Sequence, residues 1–401
     1  MLTSCFQLPC GIQLSNRIAK AALTERLANK DHLPNHRHIG LYNHWAKNGA
    51  GLLISGNILV DKTHLEAAGN IVITEGTPKE AFQQWTKSAT QYGNHFWAQL
   101  NHAGRQTNIF NTLRPLAPSQ VKLKKMGFFG KPKPMTDGQV RSTIDAFVHA
   151  VAFCQSVGFT GVQIHAAHGY LLSQFLSPRT NRRKDQWGGS VENRARILFE
   201  IVEQSRKAVG PSFPISVKIN SADFQRGGFE EEDALFVIKR LEELGIDLLE
   251  VSGGTYEDLT FFTKKNLKTS TLEREAYFLE FAKEVRKESQ IPLMVTGGFR
   301  TRSFCKQVLE NGELDIIGFG RPFLLDESFP DGFLSGEQEK VVEVNIQAMS
   351  KQILDMAAGG FYDYQIARLA DDLPLDLNFN PNLAAFRLIS NELIKGLAFK
   401  L

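Results

Sequence analysis

The chain has 401 residues, 42% of them apolar, and its 46 basic and 43 acidic side chains leave a net charge of +3. That length suits two ordinary domains or one large α/β barrel, and so balanced a charge gives no ground for a nucleic-acid partner. No apolar run reaches the ~18–20 residues of a membrane helix. The first residues, MLTSCFQLPCGIQL, lack the basic-then-apolar order of a secretory signal, so a soluble, cytoplasmic protein is expected. Cys5, Cys10, Cys154 and Cys305 follow no metal-ligand spacing, so no metal site is expected.

Short apolar runs recur along the chain, each with the composition of a buried parallel strand. They are Ile18–Ala22, Gly51–Ser55, Phe96–Leu100, Gly161–His165, Ile215–Ile219, Leu248–Val251, Leu293–Thr296 and Ile316–Gly318. Amphipathic stretches lie between them: Ile144–Val157, Arg194–Val209, Glu231–Leu244, Tyr277–Glu288 and Phe304–Asn311. Eight strand–helix units predict a closed (β/α)8 TIM barrel, and the GxGxxG of an open dinucleotide-binding sheet is absent after the first strand.

Two segments exceed the needs of a barrel. Arg105–Asp137, with Pro115, Pro118, Pro132 and Pro134, reads as an excursion after the third strand that forms a lid packed through Phe128 and Phe129. Beyond Asp326 no strand pattern remains; Val341–Ala358 reads as a helix and Leu373–Leu401 as mixed coil and helix. The division expected is a barrel domain over residues 1–330 and a helical extension over 331–401, packed on the barrel or on a neighbouring subunit of a homo-oligomer.

Barrels of this kind carry their chemistry at the C-terminal ends of the strands, and polar residues and glycines collect there in this sequence. In strand order they are Thr24, the pair Gly56 and Asn57, Gln99 with Asn101, the group His165, His168 and Tyr170, Lys218 with Asn220, Gly253–Gly254, Gly297–Gly298 and Gly320–Arg321. The glycines and arginine after strands seven and eight suit a phosphate, because glycine admits close backbone approach and arginine adds a two-pronged cation. Thr24, Gln99 and Lys218 offer a hydroxyl, an amide and a cation able to hold a flat heterocycle, and a cation there stabilises charge gained on reduction. Together they suggest flavin mononucleotide. Two imidazoles and a phenol within six residues suit a developing oxyanion and a proton delivery.

Read along their length, NRIAKAALTE, WAQLNHAGR, GVQIHAAHGYLLSQFLSPRTNRRKDQWGGSVENRAR, VKINSADFQRGGF, LLEVSGGTYE, VTGGFRTR and IIGFGRPFL run in the order found in the old yellow enzyme family, the NADH:flavin oxidoreductases. The resemblance spans residues 1 to about 330. It implies an FMN-bound barrel that is reduced by NADH or NADPH and passes hydride to an activated alkene such as an α,β-unsaturated carbonyl. It further implies FMN contacts at Thr24, Gly56, Gln99, Lys218, Gly298, Gly320 and Arg321, a carbonyl grip at His165 and His168, and a proton donor at Tyr170. Asn101 and Tyr256 are expected in the substrate pocket. Two features of relatives are missing: cysteines clustered after the barrel for an iron–sulfur centre, and the C-terminal arginine motif that reaches a neighbour's site. Three alternatives remain at this point: an FMN dehydrogenase or oxidase on the same scaffold, a flavin-free aldolase with Lys218 as Schiff base, and a catalytically dead flavin-binding barrel.

Overall fold

A computed structural model describes residues 1–124, 128–252, 267–350 and 353–398, with the side chains of 267–277 and 397–398 outside the described set. Eight parallel strands close on themselves: β1 (Ile18–Lys20), β2 (Leu52–Leu59), β3 (His95–Asn101), β4 (Gly161–Ala166), β5 (Ile215–Asn220), β6 (Leu248–Ser252), β7 (Leu293–Thr296) and β8 (Ile316–Phe319). Each pairs with the next, and β8 pairs with β1, so no sheet edge is left open. All eight runs expected from the sequence are present, with ends shifted by a few residues.

The outer ring is α1 (His36–Lys47), α2 (Glu80–Thr90), α3 (Asp137–Ser156), α4 (Val191–Val209), α5 (Glu231–Glu243), α6 (Leu267–Glu288) and α7 (Arg302–Glu310). Side-chain caps set several starts. Thr136 and Gln139 form a reciprocal capping box on α3, and Ser190 Oγ accepts from Asn193 N at the head of α4. The WGGSVENR stretch is therefore scaffold. Trp187 is fully buried with Nε1 donating to Asp137, and Arg194 bonds Leu176 O and pairs with Asp233 at 2.7 Å.

Strand alternation divides the core in two. Outward residues such as Phe96, Val162, Ile164, Val217 and Val251 join one large cluster against the helices. Inward residues at the bottom of the barrel form a second plug: Ala19, Leu52, Ile54, Trp97, Leu248, Met294 and Ile316. Gly161 makes room for it, since a Cβ there would sit 2.5 Å from Trp97 Nε1. The N-terminal hairpin, Phe6–Gln7 against Gln13–Leu14, seals this end with Leu8 and Leu14. Above the plug the inward residues turn polar.

The tail corrects one expectation. The helix expected over Val341–Ala358 begins only at Leu354, with no helix over 341–350; α8 runs Leu354–Ala370 and α9 Pro381–Ala398. Val342, Val344 and Ile346 instead lie against Leu325, Phe361 and Ala384 on one side of an extended segment. Their period of two is that of extended chain, not the 3.6 of a helix. α8 packs beside α1, where Arg37 forms a two-pronged pair with Asp371 (2.6 and 2.9 Å) and donates to Ala367 O. It also lies close along α9, since a Cβ on Gly360 would meet Ala384 O at 2.1 Å. The excursion after β3 is held by Arg183, which donates to Pro118 O and Met135 O, and by a two-residue pairing of Leu116–Ala117 with Lys133–Pro134.

Candidate active site

The polar layer begins where the apolar plug ends. Parallel register sets Gln99 beside Gln163, Lys218 beside His165, and Lys218 beside Glu250, all on inward positions. Gln99 Nε2 donates to Gln163 Oε1 (2.7 Å), Gln163 Nε2 donates to Glu250 Oε2 (2.8 Å), and Lys218 Nζ makes an ion pair with Glu250 Oε1 at 2.9 Å. Lys218 is 5% exposed and Glu250 is wholly buried. Removing one member of such a pair strands a buried charge, at a cost of about 3–5 kcal/mol.

Above this layer lies a cavity of about 290 Å³. It is lined by Thr24 after β1, Asn57 and Gln99 from β2 and β3, His165 and Lys218 from β4 and β5, His168 and Tyr170 after β4, and Arg321 after β8. Its outer wall is α8, through Gly359, Tyr362, Asp363 and Ile366. Among its described residues, the excursion after β3 contributes no lining residue. Six of the residues expected from the sequence to hold cofactor or substrate thus share one wall system with Arg321.

The two histidines are held by backbone and neighbours. His165 Nδ1 accepts from Ala167 N (3.2 Å), which leaves the ring proton on Nε2. His168 has φ of +59°, a left-handed conformation uncommon for a residue with a Cβ, that costs on the order of 1–3 kcal/mol. Three bonds hold it there: its N–H to Asn220 Oδ1 (3.1 Å), its carbonyl from Gln106 Nε2 (2.8 Å), and its Nε2 against Ser252 Oγ (2.7 Å). Burial pushes both imidazoles well below the ordinary histidine pKa, and the cation of Lys218 adds to this. At neutral pH both are uncharged. Their rings stand edge to face at 5.1 Å, and Tyr170 stands edge to face with His165 at 4.9 Å.

After β7, Gly297 and Gly298 both have φ near +95°, a conformation glycine adopts without penalty. Gly320 precedes a short 3-10 turn over Arg321–Leu324. Arg321 is exposed and makes no hydrogen bond or ion pair to another described residue. An unpaired guanidinium between glycine turns suits a phosphate.

Other expected residues fall differently. Gly56 does not line the cavity; its N–H donates to Glu25 Oε1 (2.8 Å), and a Cβ there would sit 2.2 Å from Glu25 Oε2. It makes room for a buried carboxylate that also accepts from Tyr42. Asn101 is fully buried at the end of β3 with neither amide atom bonded. Tyr256 lies outside the described residues.

Sequence reasoning missed several neighbours. Glu66 accepts from Thr24 Oγ1 (3.0 Å) and from Asn57, and Arg26 pairs with Glu392 of α9 at 2.9 Å. Asp61, His64 and His102 also converge, but not as ligands for a metal. His64 Nε2 accepts from Leu116 N (2.8 Å) and His102 Nδ1 from Gly104 N (3.0 Å), so both lone pairs are taken and both N–H groups face Asp61. Burial alone would raise the Asp61 carboxyl; the two imidazoles outweigh it and hold the carboxyl well below its usual range.

The residues present fit FMN. Gln99, with Nε2 committed to Gln163, presents Oε1 to the cavity as an acceptor; Lys218 offers a cation and Arg321 an unpaired guanidinium. The donor set suits the pyrimidine edge of a flavin and a phosphate.

Comparison with known proteins agrees. The sequence model of the NADH:flavin oxidoreductase / NADH oxidase family matches residues 7–338. The chain is 34% identical to the NADH-dependent flavin oxidoreductase iliE of Hypocrea jecorina (strain QM6a), over 83% of this chain and 88% of that protein. It is 33% identical to the NADH oxidase of Thermoanaerobacter brockii over 82% of this chain, and spans only 50% of that longer protein. Among solved structures, the old yellow enzyme homologue from Zymomonas mobilis superposes with a TM-score of 0.71 at 25% identity, over 88% of this chain and 98% of that one. The chain therefore belongs to the NADH:flavin oxidoreductase / NADH oxidase family, as an old-yellow-enzyme barrel that uses FMN with NADH or NADPH as reductant.

Proposed function

We propose that the enzyme reduces the carbon–carbon double bond of an α,β-unsaturated carbonyl compound. The observation that carries this reading is the cluster of His165, His168 and Tyr170 on one wall of the cavity, with both imidazoles uncharged. FMN, once reduced by NADH or NADPH, supplies the hydride. As hydride adds at the β-carbon, negative charge gathers on the substrate's carbonyl oxygen. The N–H of His165, fixed on Nε2 by the Ala167 contact, and the ring of His168 meet that oxygen as preorganised donors. A neutral imidazole suits this work because it donates without first shedding a counter-charge. Tyr170, a few ångströms from His165, delivers the proton to the α-carbon.

Support for Thr24, Gln99, Lys218 and Arg321 as FMN contacts comes from their shared cavity, and for Gly298 and Gly320 from the turns beside Arg321. Gly56 serves there by admitting Glu25, and Asn101 and Tyr256 are assigned to the substrate side on family resemblance. The test is Tyr170→Phe. Anaerobic bleaching by NADH or NADPH is expected to keep its rate, while reoxidation by 2-cyclohexenone slows by ~100-fold, the scale of a lost general acid. Equal slowing of both half-reactions contradicts the assignment.

A further inference from the structure

A buried lysine beside a flavin would be expected to work with its charge unopposed. Here it is not: Lys218 faces the cavity and is paired at 2.9 Å with Glu250, a carboxylate on the neighbouring strand with no solvent exposure. We propose that Glu250 is a positioning residue that sets both the hydrogen-bond polarity of the cavity floor and the reduction potential of the bound flavin. The inference rests on FMN occupying this cavity and is independent of the compound that is finally reduced.

A carboxylate has no proton to give, so Gln163 must turn its Nε2 to Glu250 Oε2, which leaves Gln163 Oε1 facing Gln99. Gln99 must then turn its Nε2 to Gln163, and its Oε1 is what the cavity sees. One ionised group thus fixes two amides that would otherwise be free to flip. It also leaves the floor presenting an acceptor at β3 and a cation at β5. The register that makes this possible is the pairing of Gln99 with Gln163 and of Lys218 with Glu250 on adjacent parallel strands.

With Lys218 5% exposed and Glu250 at 0%, water does little to screen either charge. Two-electron reduction adds negative charge to the flavin, and a nearby cation favours the reduced form. A carboxylate 2.9 Å behind that cation opposes the effect. The pair should therefore hold the potential below the value a lone lysine would give. If Glu250 served packing alone, its charge could be removed with a change in stability and none in potential.

The experiment compares the midpoint potentials of FMN-loaded wild type and Glu250→Gln, each equilibrated with a dye of known potential, alongside FMN dissociation constants. Glu250→Gln keeps the shape and removes the charge, and its potential is expected to rise by about 30 mV or more, a tenfold change in a two-electron equilibrium. An unchanged or lower potential overturns the proposal. Gln163→Leu breaks the relay without touching the charges. It is expected to weaken FMN binding by about tenfold while the potential moves far less than in Glu250→Gln; unaltered FMN affinity overturns the polarity half. Should Glu250→Gln fail to fold, the comparison moves to Lys218→Met against Lys218→Met/Glu250→Gln, where no charge is stranded in the double variant. The double variant must then have the higher potential, and equality overturns the proposal. A wild-type protein that binds no FMN is recognised before any variant is made, and it overturns the FMN assignment itself.

Discussion

Two regions of the barrel rim are built on opposite plans. At the floor the polar groups hold one another: Gln99 bonds Gln163, Gln163 bonds Glu250, Glu250 holds Lys218, and His165 and His168 are pinned by backbone and by Ser252. At the β7–β8 corner, glycine turns leave space, and Arg321 is exposed without a partner among the described residues. The floor is organised before any ligand arrives, so little reordering is needed as charge develops. The corner offers an unsatisfied cation to an anionic ligand. One region suits chemistry, which needs donors fixed in place; the other suits capture.

That contrast can be broken experimentally, beginning with the floor. His165→Ala removes a preorganised donor, and reoxidation of the reduced enzyme by 2-cyclohexenone should slow by ~10²–10³-fold with FMN affinity little changed. Single-turnover absorbance at the flavin band reports it, and a loss of FMN instead would assign His165 to binding. At the corner the pattern should invert. Arg321→Ala is expected to weaken FMN binding by about 10–100-fold, the worth of a charge-assisted hydrogen bond at ~1.5–3 kcal/mol, with the rate of the loaded enzyme nearly kept. Fluorescence titration of apoprotein measures it, and the deficit should shrink for riboflavin, which lacks the phosphate.

The smallest effect concerns pH. Because burial lowers both histidine pKa values, their donor state should persist from pH 8 to well below pH 6.5, and the oxidative half-reaction should show no step near an ordinary histidine value. Stability behaves otherwise. Below about pH 6.5 these histidines take up protons in the unfolded chain but not in the folded one, so stability falls as pH drops. Asp61 adds to the loss at lower pH, since its depressed pKa stabilises the fold only above the unfolded carboxyl value. Thermal melts from pH 8 to 4 read both; a step in activity at pH 6.5 without loss of stability contradicts the assignment.

Much of the floor was legible because barrel strands alternate strictly, so an apolar run ending in a polar residue marks the rim. His165, Lys218 and Gln99 announced themselves that way. Glu250 left the same signal, a charged residue inside the buried run LLEVS, yet its meaning required knowing that β5 and β6 pair Lys218 with it. The outer wall was not legible. Tyr362 and Asp363 reach the cavity only because α8 packs beside α1, a tertiary arrangement with no local trace. The misplaced helix has a plainer cause. Val342, Val344 and Ile346 alternate as extended chain does, and the helix begins only at Leu354. Gly56 shows a further limit: a glycine at a strand end suggests close approach of a ligand, yet the space it leaves belongs to Glu25.

The central claim is that a floor of neutral donors and one proton source turns a reduced flavin into an alkene reductant. It is tested most directly by following the flavin absorbance of the purified protein without oxygen. NADH or NADPH should bleach the yellow colour, and 2-cyclohexenone should restore it with formation of cyclohexanone. Bleaching that only oxygen reverses, with the enone left unchanged, would contradict the account.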